Sequence, residues 1–542
     1  MRNKLYIFLT IAFLSLIIML GSWGLTESSE ARYATITKEM VLNNDFLNPT
    51  LLGIKHFHKP PVTYYLTALS YKIFGINEFG ARFFMELALV FQIFLVFKIT
   101  LLLYKNIKIA FAASLIYFSF PITIIAVRTL TTDAFLTTFM LACGYFWLRY
   151  KQNSKTYFLY LFYFFLGLIV ETKGPVGLII PVSFIASYKI INKEKIETSI
   201  HQFLGLLLFF GISSAWYIAV IVKNEGLFDY FFYNQLVERV SENKFKRSEP
   251  FWYYLLIMPF IGIPWLFYLI FYLKSNLKSI IKEKGTNLVL LITFLVFFII
   301  LSVSTSKLVL YVLPLFFILA IYSANFLSKC HEKVIKIISN LYVLLIFLIA
   351  LPVIILYFLA TDISINLMYA LINLLVFGLL SLLLNKYMYN TNYLKPGYLG
   401  VLFILSILFT SIHIFKENEL KINSVKPMAE FIKARSNNNS EVLVYNYLLP
   451  SLSFYLDEEI TTINNGRYTT QREVQFEKND NWKKHLINYF DKKDRNRLLS
   501  KSTNEKTTFL IKLKKETLPD TLAFFQQHLK HKKDFKKFEV YY

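Results

Sequence analysis

Cysteine is nearly absent: the 542 residues contain two, Cys143 and Cys330. Both lie in or beside apolar runs, which excludes a disulfide framework and leaves no thiolate metal site. Charge is scarce too. Asp, Glu, Lys and Arg make up 17% of the chain, against 56% hydrophobic and 18% aromatic residues, a balance that excludes an ordinary soluble globule. No small-x-small cleavage pattern follows the first apolar run, so residues 1–24 read as a retained signal-anchor.

What the chain has instead is apolar length. Windows long enough to cross a bilayer fall at 5–24, 85–104, 108–127, 133–149, 156–171, 174–191, 202–222, 251–273, 287–304, 307–327, 337–360, 365–385 and 397–415, about thirteen in all. With Met1 on the cytoplasmic side, the inner loops hold about nineteen lysines and arginines and only four acids, Glu194, Glu197, Glu283 and Glu332. That bias accounts for much of the net charge of +23, and no nucleic-acid partner is needed to explain it. The inner loops are short lysine-rich stitches. The mixed polar stretches SWGLTESSEARYAT (22–35), KHFHKPP (55–61), RTLTTD (128–133), ETKGP (171–175) and STSK (304–307) all fall on the outer side.

From about residue 416 the composition turns polar. Runs of strand character, EVLVYNY (441–447) and KTTFLIKL (506–513), alternate with helical ones such as TLAFFQQHLK (521–530). The fold class expected is an all-α polytopic membrane protein with about thirteen transmembrane helices over residues 1–415, an outer first loop at 25–84, and a small extracytoplasmic α/β domain at 416–542. No catalytic motif stands out in the last part.

The first outer loop concentrates chemistry. Ser28 or Ser29 suits a helix N-cap, and Tyr33, Ile36 and Met40 repeat at helical spacing, which predicts an amphipathic helix with that stripe in lipid. Glu30 then suits either a first-turn acid favoured by the helix dipole or a functional carboxylate, with Glu27 close by. Lys59 precedes two prolines, which stiffen the backbone that presents it. Acids and a fixed cation on one membrane face suit a substrate with a hydroxyl or phosphate to activate and a phosphate to hold. His56 and His58, with nearby acids, are weak candidates for a divalent metal, since two histidines with one spacer say little alone.

SEARYATITKEM, then LLGIKHFHKPPVTYYLTALSYKIFGINEFGARF (51–83), resembles the first outer loop of the aminoarabinose transferases, polyprenyl-phosphate-dependent enzymes that modify lipid A and are related to the protein O-mannosyltransferases. TTDAF at Asp133, TKGPVGL at Lys173, EPFWYYL (249–255), GIPW (262–265) and STSKLVLYVLP (304–314) match later blocks in order. The resemblance covers most of residues 20–320. Two positions depart from it: Ser29 stands where the family carries the first acid of its pair, and His58 stands where close members have Glu.

The resemblance implies a GT-C architecture in a bacterial inner membrane, with a cytoplasmic N-terminus and a periplasmic C-terminal domain. It implies transfer of a sugar from a polyprenyl phosphate to an extracytoplasmic acceptor, a lipid A-like glycolipid or a protein, with inversion at the anomeric carbon. A carboxylate orients or deprotonates the acceptor, and cations steady the leaving phosphate. The implied carboxylates are Glu30, Glu27 and Asp133. Lys59, Arg32, Arg82 and Lys307 are the implied donor-phosphate ligands, with Arg128 a weaker one. Arg247 and Lys173 are implied for the acceptor. For several of these a plain structural role competes: Asp133 as a helix N-cap, Lys173 as a cap of the Gly-Pro turn or partner of Glu171, and Arg247 as an interfacial arginine. An envelope polysaccharide polymerase or ligase is the nearest rival. A secondary transporter is further off, because its charges belong near the bilayer midplane and here they gather at span ends.

Overall fold

The computed structural model describes residues 1–542 apart from 28, 196, 233–248, 360–361, 437–439, 457, 459, 468–469, 471 and 503–507. The chain starts with α1 (Arg2–Ile17), α2 (Ser29–Leu42), a two-strand ribbon of β1 (Thr50–Leu51) and β2 (Ile54–Lys55), and α3 (Val62–Phe74). Then come α4 (Glu78–Tyr104), α5 (Ile107–Phe118), α6 (Pro121–Val127), α7 (Asp133–Asn153), α8 (Thr156–Lys173), α9 (Ile179–Ile191) and α10 (Ile200–Lys223). Two compact units result. One comprises Met1–Leu20 and Arg82–Ile414, the other Gly21–Ala81 and Phe415–Tyr542.

The first unit is a helical bundle. Among the described residues, eight helices are long and apolar enough to cross a membrane, and two bent pairs raise that to ten. A chain of this kind satisfies its backbone within each helix, as a hydrocarbon solvent demands; the protein is a polytopic membrane protein. The bends have local causes. The α5–α6 pair turns by 61° at Pro121, and Tyr253–Ile261 meets Trp265–Glu283 at 114° across Gly262 and Pro264. Three of the thirteen apolar windows are helical but fall short. Helix α1 has only 16 residues, Gly174 and Pro175 shorten the run ending at Ile191, and α7 carries Asp133, Arg149 and Lys151.

The centre of this unit is α5 packed on the helix Phe316–Leu327, whose residues are all buried. Helices α7 and α8 lie side by side, joined by Ser154 and Lys155. So short a turn makes them antiparallel neighbours and returns the end of α8 to the start of α7. Gly174, at φ +84°, ends α8 there. Glycine also lets α8 and α10 approach: a Cβ on Gly167 would meet Ile212 at 2.8 Å.

In the second unit the stripe of α2 does not face lipid. Tyr33, Ile36 and Met40 are buried, and so are Ala34, Thr35, Thr37 and Lys38 on the other faces. The helix packs between α3 and the helix Pro450–Leu456. Periodicity identified an apolar face but not what covers it. The polar face is buried because Lys38 Nζ donates to the carbonyls of Ser453 and Phe454, at 3.3 and 2.9 Å, which end that neighbouring helix. Glu39 organises the ribbon, accepting from Thr50 Oγ1 (2.6 Å), Leu52 N (2.7 Å) and Gly53 N (3.1 Å).

A six-stranded sheet completes the unit, made of β3 (Glu441–Tyr445), β4 (Ile460–Asn464), β5 (Leu486–Asn488), β6 (Thr508–Leu513), β7 (Lys532–Phe535) and β8 (Phe538–Tyr541). The order is β5-β4-β3-β6-β8-β7, parallel from β5 to β6 and antiparallel beyond. The central strands are almost continuously apolar because both faces are covered. Leu443, Ile463, Ile487 and Leu510 form the core with Leu498 and Leu522 from the flanking helices.

The ribbon turn gives a direct test. Leu52 and Gly53 both have positive φ, +53° and +71°, and a Cβ on Gly53 would sit 2.4 Å from the His485 ring. Gly53→Ala is expected to cost about 1–3 kcal/mol, read as a lower melting temperature in detergent. Gly211→Ala, where a Cβ meets nothing within 4 Å, should leave the melting temperature unchanged or raise it.

Candidate active site

In the first unit, the returning end of α8 meets the start of α7. Lys173 Nζ donates to Asp133 Oδ1 at 2.5 Å, with both side chains nine-tenths buried or close to it. Asp133 is therefore not the N-cap of α7, a position held by Thr132, and Lys173 pairs with neither the turn nor Glu171. The Lys173 ammonium also lies over the Tyr311 ring, 4.1 Å from its centre. Glu171 faces the backbone N–H of Trp216, at 3.4 Å.

Lys307 belongs to the same region through its loop. Its Nζ donates to the carbonyls of Glu249 (2.8 Å) and Ser304 (2.5 Å). Two of its three protons are thereby committed. Tyr254, five residues past Glu249, donates to the carbonyl of Leu308 at 3.1 Å. Asp133, Lys173, Tyr311 and the 304–311 loop thus gather at one end of the bundle. Arg82 is enclosed: it has no exposed surface, and its Nη1 donates to the Leu20 carbonyl at 3.1 Å. Arg128 is likewise buried, 3.2 Å from Glu86, an acid in α4 with no exposure at all. Arg247 lies outside the described residues.

In the second unit the two loop carboxylates differ sharply. Glu30 is buried, and its Oε2 accepts from Thr26 N (2.8 Å) and Thr26 Oγ1 (2.9 Å), closing the first turn of its own helix much as a capping box does. Ser29, where the family acid is missing, is exposed. Glu27, two residues upstream, is anchored on both sides. Its backbone N–H donates to the Asn423 carbonyl at 2.9 Å, and its own carbonyl accepts from Asn423 Nδ2 at 2.8 Å. Its Oε1 accepts from Ser451 N (2.9 Å) and Ser451 Oγ (2.6 Å). Its Oε2 is buried and has no hydrogen bond among the described residues. Burial pushes this carboxyl up to about 7, against the pull of Ser451 and the nearby Arg32 guanidinium.

Arg32 is half-buried one turn along α2, with Nε buried and unbonded among the described residues. Its charge is felt by Glu27, His56, Tyr64 and Tyr447. Lys59 is half-buried between His58 and the two prolines. His56 and His58 meet a residue the sequence did not single out, Glu473. His56 Nδ1 lies 2.8 Å and His58 Nε2 3.6 Å from Glu473 Oε2. Burial lowers both imidazoles, His58 to about 3, and although burial raises Glu473, the two rings hold it well below the usual carboxylate range. Glu473 sits in QREVQFEKND, a stretch with no motif to mark it.

The fold, with a bundle of apolar helices as one unit and a sheet-bearing second unit, is one already seen in solved structures. It matches over nearly its whole length two crystal structures of ArnT from Cupriavidus metallidurans. One is bound to undecaprenyl phosphate (TM-score 0.77, 99% of this chain and 98% of that one) and the other is in the apo state (TM-score 0.78, 100% and 98%). Both are 18% identical, so they speak for the fold alone.

Sequence adds to this. The family model described as dolichyl-phosphate-mannose-protein mannosyltransferase matches residues 58–218. The undecaprenyl phosphate-alpha-4-amino-4-deoxy-L-arabinose arabinosyl transferase 2 of Proteus mirabilis is 31% identical over 327 residues, 59% of this chain and 58% of that protein. The corresponding transferase of Photorhabdus laumondii is 30% identical over 317 residues, 57% and 56%. The chain thus spans less than two thirds of the length of these curated relatives. By fold and in part by sequence it is similar to the aminoarabinose transferases.

The raised Glu27 carboxyl has a pH signature. A folded-state value near 7 against 4.5 in the unfolded chain means the folded protein binds this proton more tightly. The contribution to stability is fully present below the unfolded value and is lost as pH rises through about 7. Ser451 and Arg32 oppose the shift, and Tyr447 is the other titratable group that feels this carboxyl. The melting temperature of the unmodified protein, measured relative to Glu27→Gln, is expected to fall between roughly pH 5 and pH 8. Parallel curves would contradict the assignment.

Proposed function

We propose that the protein is an integral inner-membrane glycosyltransferase that moves a sugar from a polyprenyl phosphate to an extracytoplasmic acceptor, a glycolipid of the lipid A kind. Two relatives, 31% and 30% identical over 327 and 317 residues, are named as transferases of an undecaprenyl phosphate-linked aminoarabinose, and the mannosyltransferase family model matches residues 58–218. In this reading the three windows that fall short by length or charge cross the membrane along with the other ten, the N-terminus is cytoplasmic, and the second unit is periplasmic. The lysine bias of the alternate loops supports that orientation.

The observation that carries the reading is Glu27. One oxygen is fixed by Ser451, the other is buried and unbonded among the described residues, and a guanidinium lies close by. A carboxyl poised near 7 is matched to proton transfer at neutral pH. The acceptor oxygen attacks the anomeric carbon from the face opposite the phosphate, and its proton passes to Glu27. The C–O bond to the phosphate breaks, its electron pair leaving with the polyprenyl phosphate. Lipid phosphate is a good leaving group, so a general acid is not required. Glu30, engaged by Thr26, positions the loop, and Glu27 takes the role that the departure at Ser29 leaves open.

Cations complete the scheme. In the second unit, Arg32 and Lys59 serve phosphate oxygens, Arg32 through the fork geometry that suits them. Arg82, enclosed and bonded to Leu20, serves the bundle's packing in this scheme.

Purified protein should transfer labelled sugar from a polyprenyl phosphate donor to lipid A. Glu27→Gln is expected to reduce turnover by about 10²- to 10⁴-fold with the fold kept, as judged by its melting curve at low pH. Turnover of the unmodified protein should rise with pH through about 7, as the carboxyl ionises. Undiminished transfer by Glu27→Gln would remove the base from this residue.

A further inference from the structure

Helix α4 is apolar enough to span a membrane, yet it buries a carboxylate and an amide, Glu86 and Gln92, at 0% and 1% exposure. Each reaches one end of the same segment. Glu86 Oε1 lies 3.2 Å from Nη1 of Arg128, the residue that closes α6. Gln92 Nε2 donates to the carbonyl of Ala134 (2.8 Å) and to Thr138 Oγ1 (2.9 Å), in the first turns of α7. Gln92 Oε1 accepts in turn from the Tyr117 hydroxyl of α5 at 2.7 Å, so both its N–H groups and its oxygen are engaged.

Between those two grips, residues 128–132 belong to neither helix nor strand. The helix before them, α6, has only seven residues and sits beyond the 61° bend at Pro121. Little in the segment itself therefore fixes where α7 begins, and α7 begins with Asp133, the partner of Lys173 at 2.5 Å. We propose that Glu86 and Gln92 are positioning residues: α4 holds the 128–134 segment at both ends and so sets where the Asp133 carboxylate meets the Lys173 ammonium.

Energetics favours this over plain packing. A buried ion pair is a poor source of stability, since apolar side chains of similar volume commonly do as well, and fixing one arrangement is its best-attested use. Interhelical hydrogen bonds between membrane helices are individually modest as well. Neither contact is needed to hold α4 in the bundle, but both restrict where the segment can lie. Asp133 needs such restriction, because a displacement of about 1 Å at a reacting group can cost 100-fold in rate.

The test separates position from stability. Gln92→Met with Tyr117→Phe removes the amide and the hydroxyl that meets it, leaving neither unpaired, and the Ala134 carbonyl stays within the ladder of α7. Glu86→Gln with Arg128→Met removes one charge of each sign and keeps an acceptor one turn from Arg82. Full-length protein in detergent is treated with an amine-acylating reagent, and acylation of Lys173 is followed by peptide mass spectrometry. Asp133→Asn gives the rate for a broken pair. Both double variants are expected to melt within a few degrees of the parent, to acylate at Lys173 several-fold faster, and to turn over about 10- to 100-fold more slowly. The turnover arm rests on the transferase reading. The acylation arm does not, so a protein that moves no sugar still decides the positioning. Folded double variants in which Lys173 stays as protected as in the parent would overturn it. So would loss of the fold in both, which would make the contacts structural supports alone.

Discussion

A charge withdrawn from water must be paired or neutralised, and that constraint orders both units of this protein. Lys173 turns to Asp133, Arg128 to Glu86, and Lys307 to two carbonyls, so the polar end of the bundle is a set of paired charges with little slack. The second unit obeys the same rule: Lys38 closes the end of a neighbouring helix, Glu39 collects three donors from the ribbon, and Glu473 answers two histidines and an arginine. Glu27 meets the constraint only half way. With one oxygen satisfied and the other not, it responds by holding its proton to a higher pH. A carboxyl so placed costs stability in the ionised form, and that cost is what suits it to the proton transfer proposed for it.

How far the sequence foretold this depends on the length scale of each feature. Apolar windows are local, so helices formed in all thirteen, and the strand-like runs begun at 441 and 506 contain the neighbouring central strands Glu441–Tyr445 and Thr508–Leu513. What the windows did not reveal was where a helix falls short as a span, because Gly174–Pro175 and the charges of α7 act against length and hydropathy together. The stripe of α2 misled because an apolar face packs equally well on lipid or on protein. The Lys38 contacts that bury its opposite face come from residues more than 400 positions away.

The site shows the same division. Glu27, Glu30 and Arg32 were visible as a dense polar cluster, but the difference between the two acids lies in Thr26 and Ser451, the second of them 424 residues distant. Asp133 and Lys173, 40 residues apart, were noticed separately, and only the tight α7–α8 turn makes them partners. Glu473 was invisible, since an acid in a polar stretch acquires meaning only from the histidines that reach it. The resemblance stated from the first loop and later blocks agreed with what fold and sequence comparisons found, because it rested on several ordered motifs and not on one.

The central claim, that this aminoarabinose-transferase-like chain passes sugar from a lipid phosphate to an envelope glycolipid, is tested most directly by mass spectrometry of those glycolipids. Extracts are compared from cells with the protein, without it, and with the Glu27→Gln form. The account predicts a species heavier by one glycosyl residue that is present with the protein and missing from both other extracts. Identical spectra from all three, with the polyprenyl-phosphate sugar present in each, would contradict it.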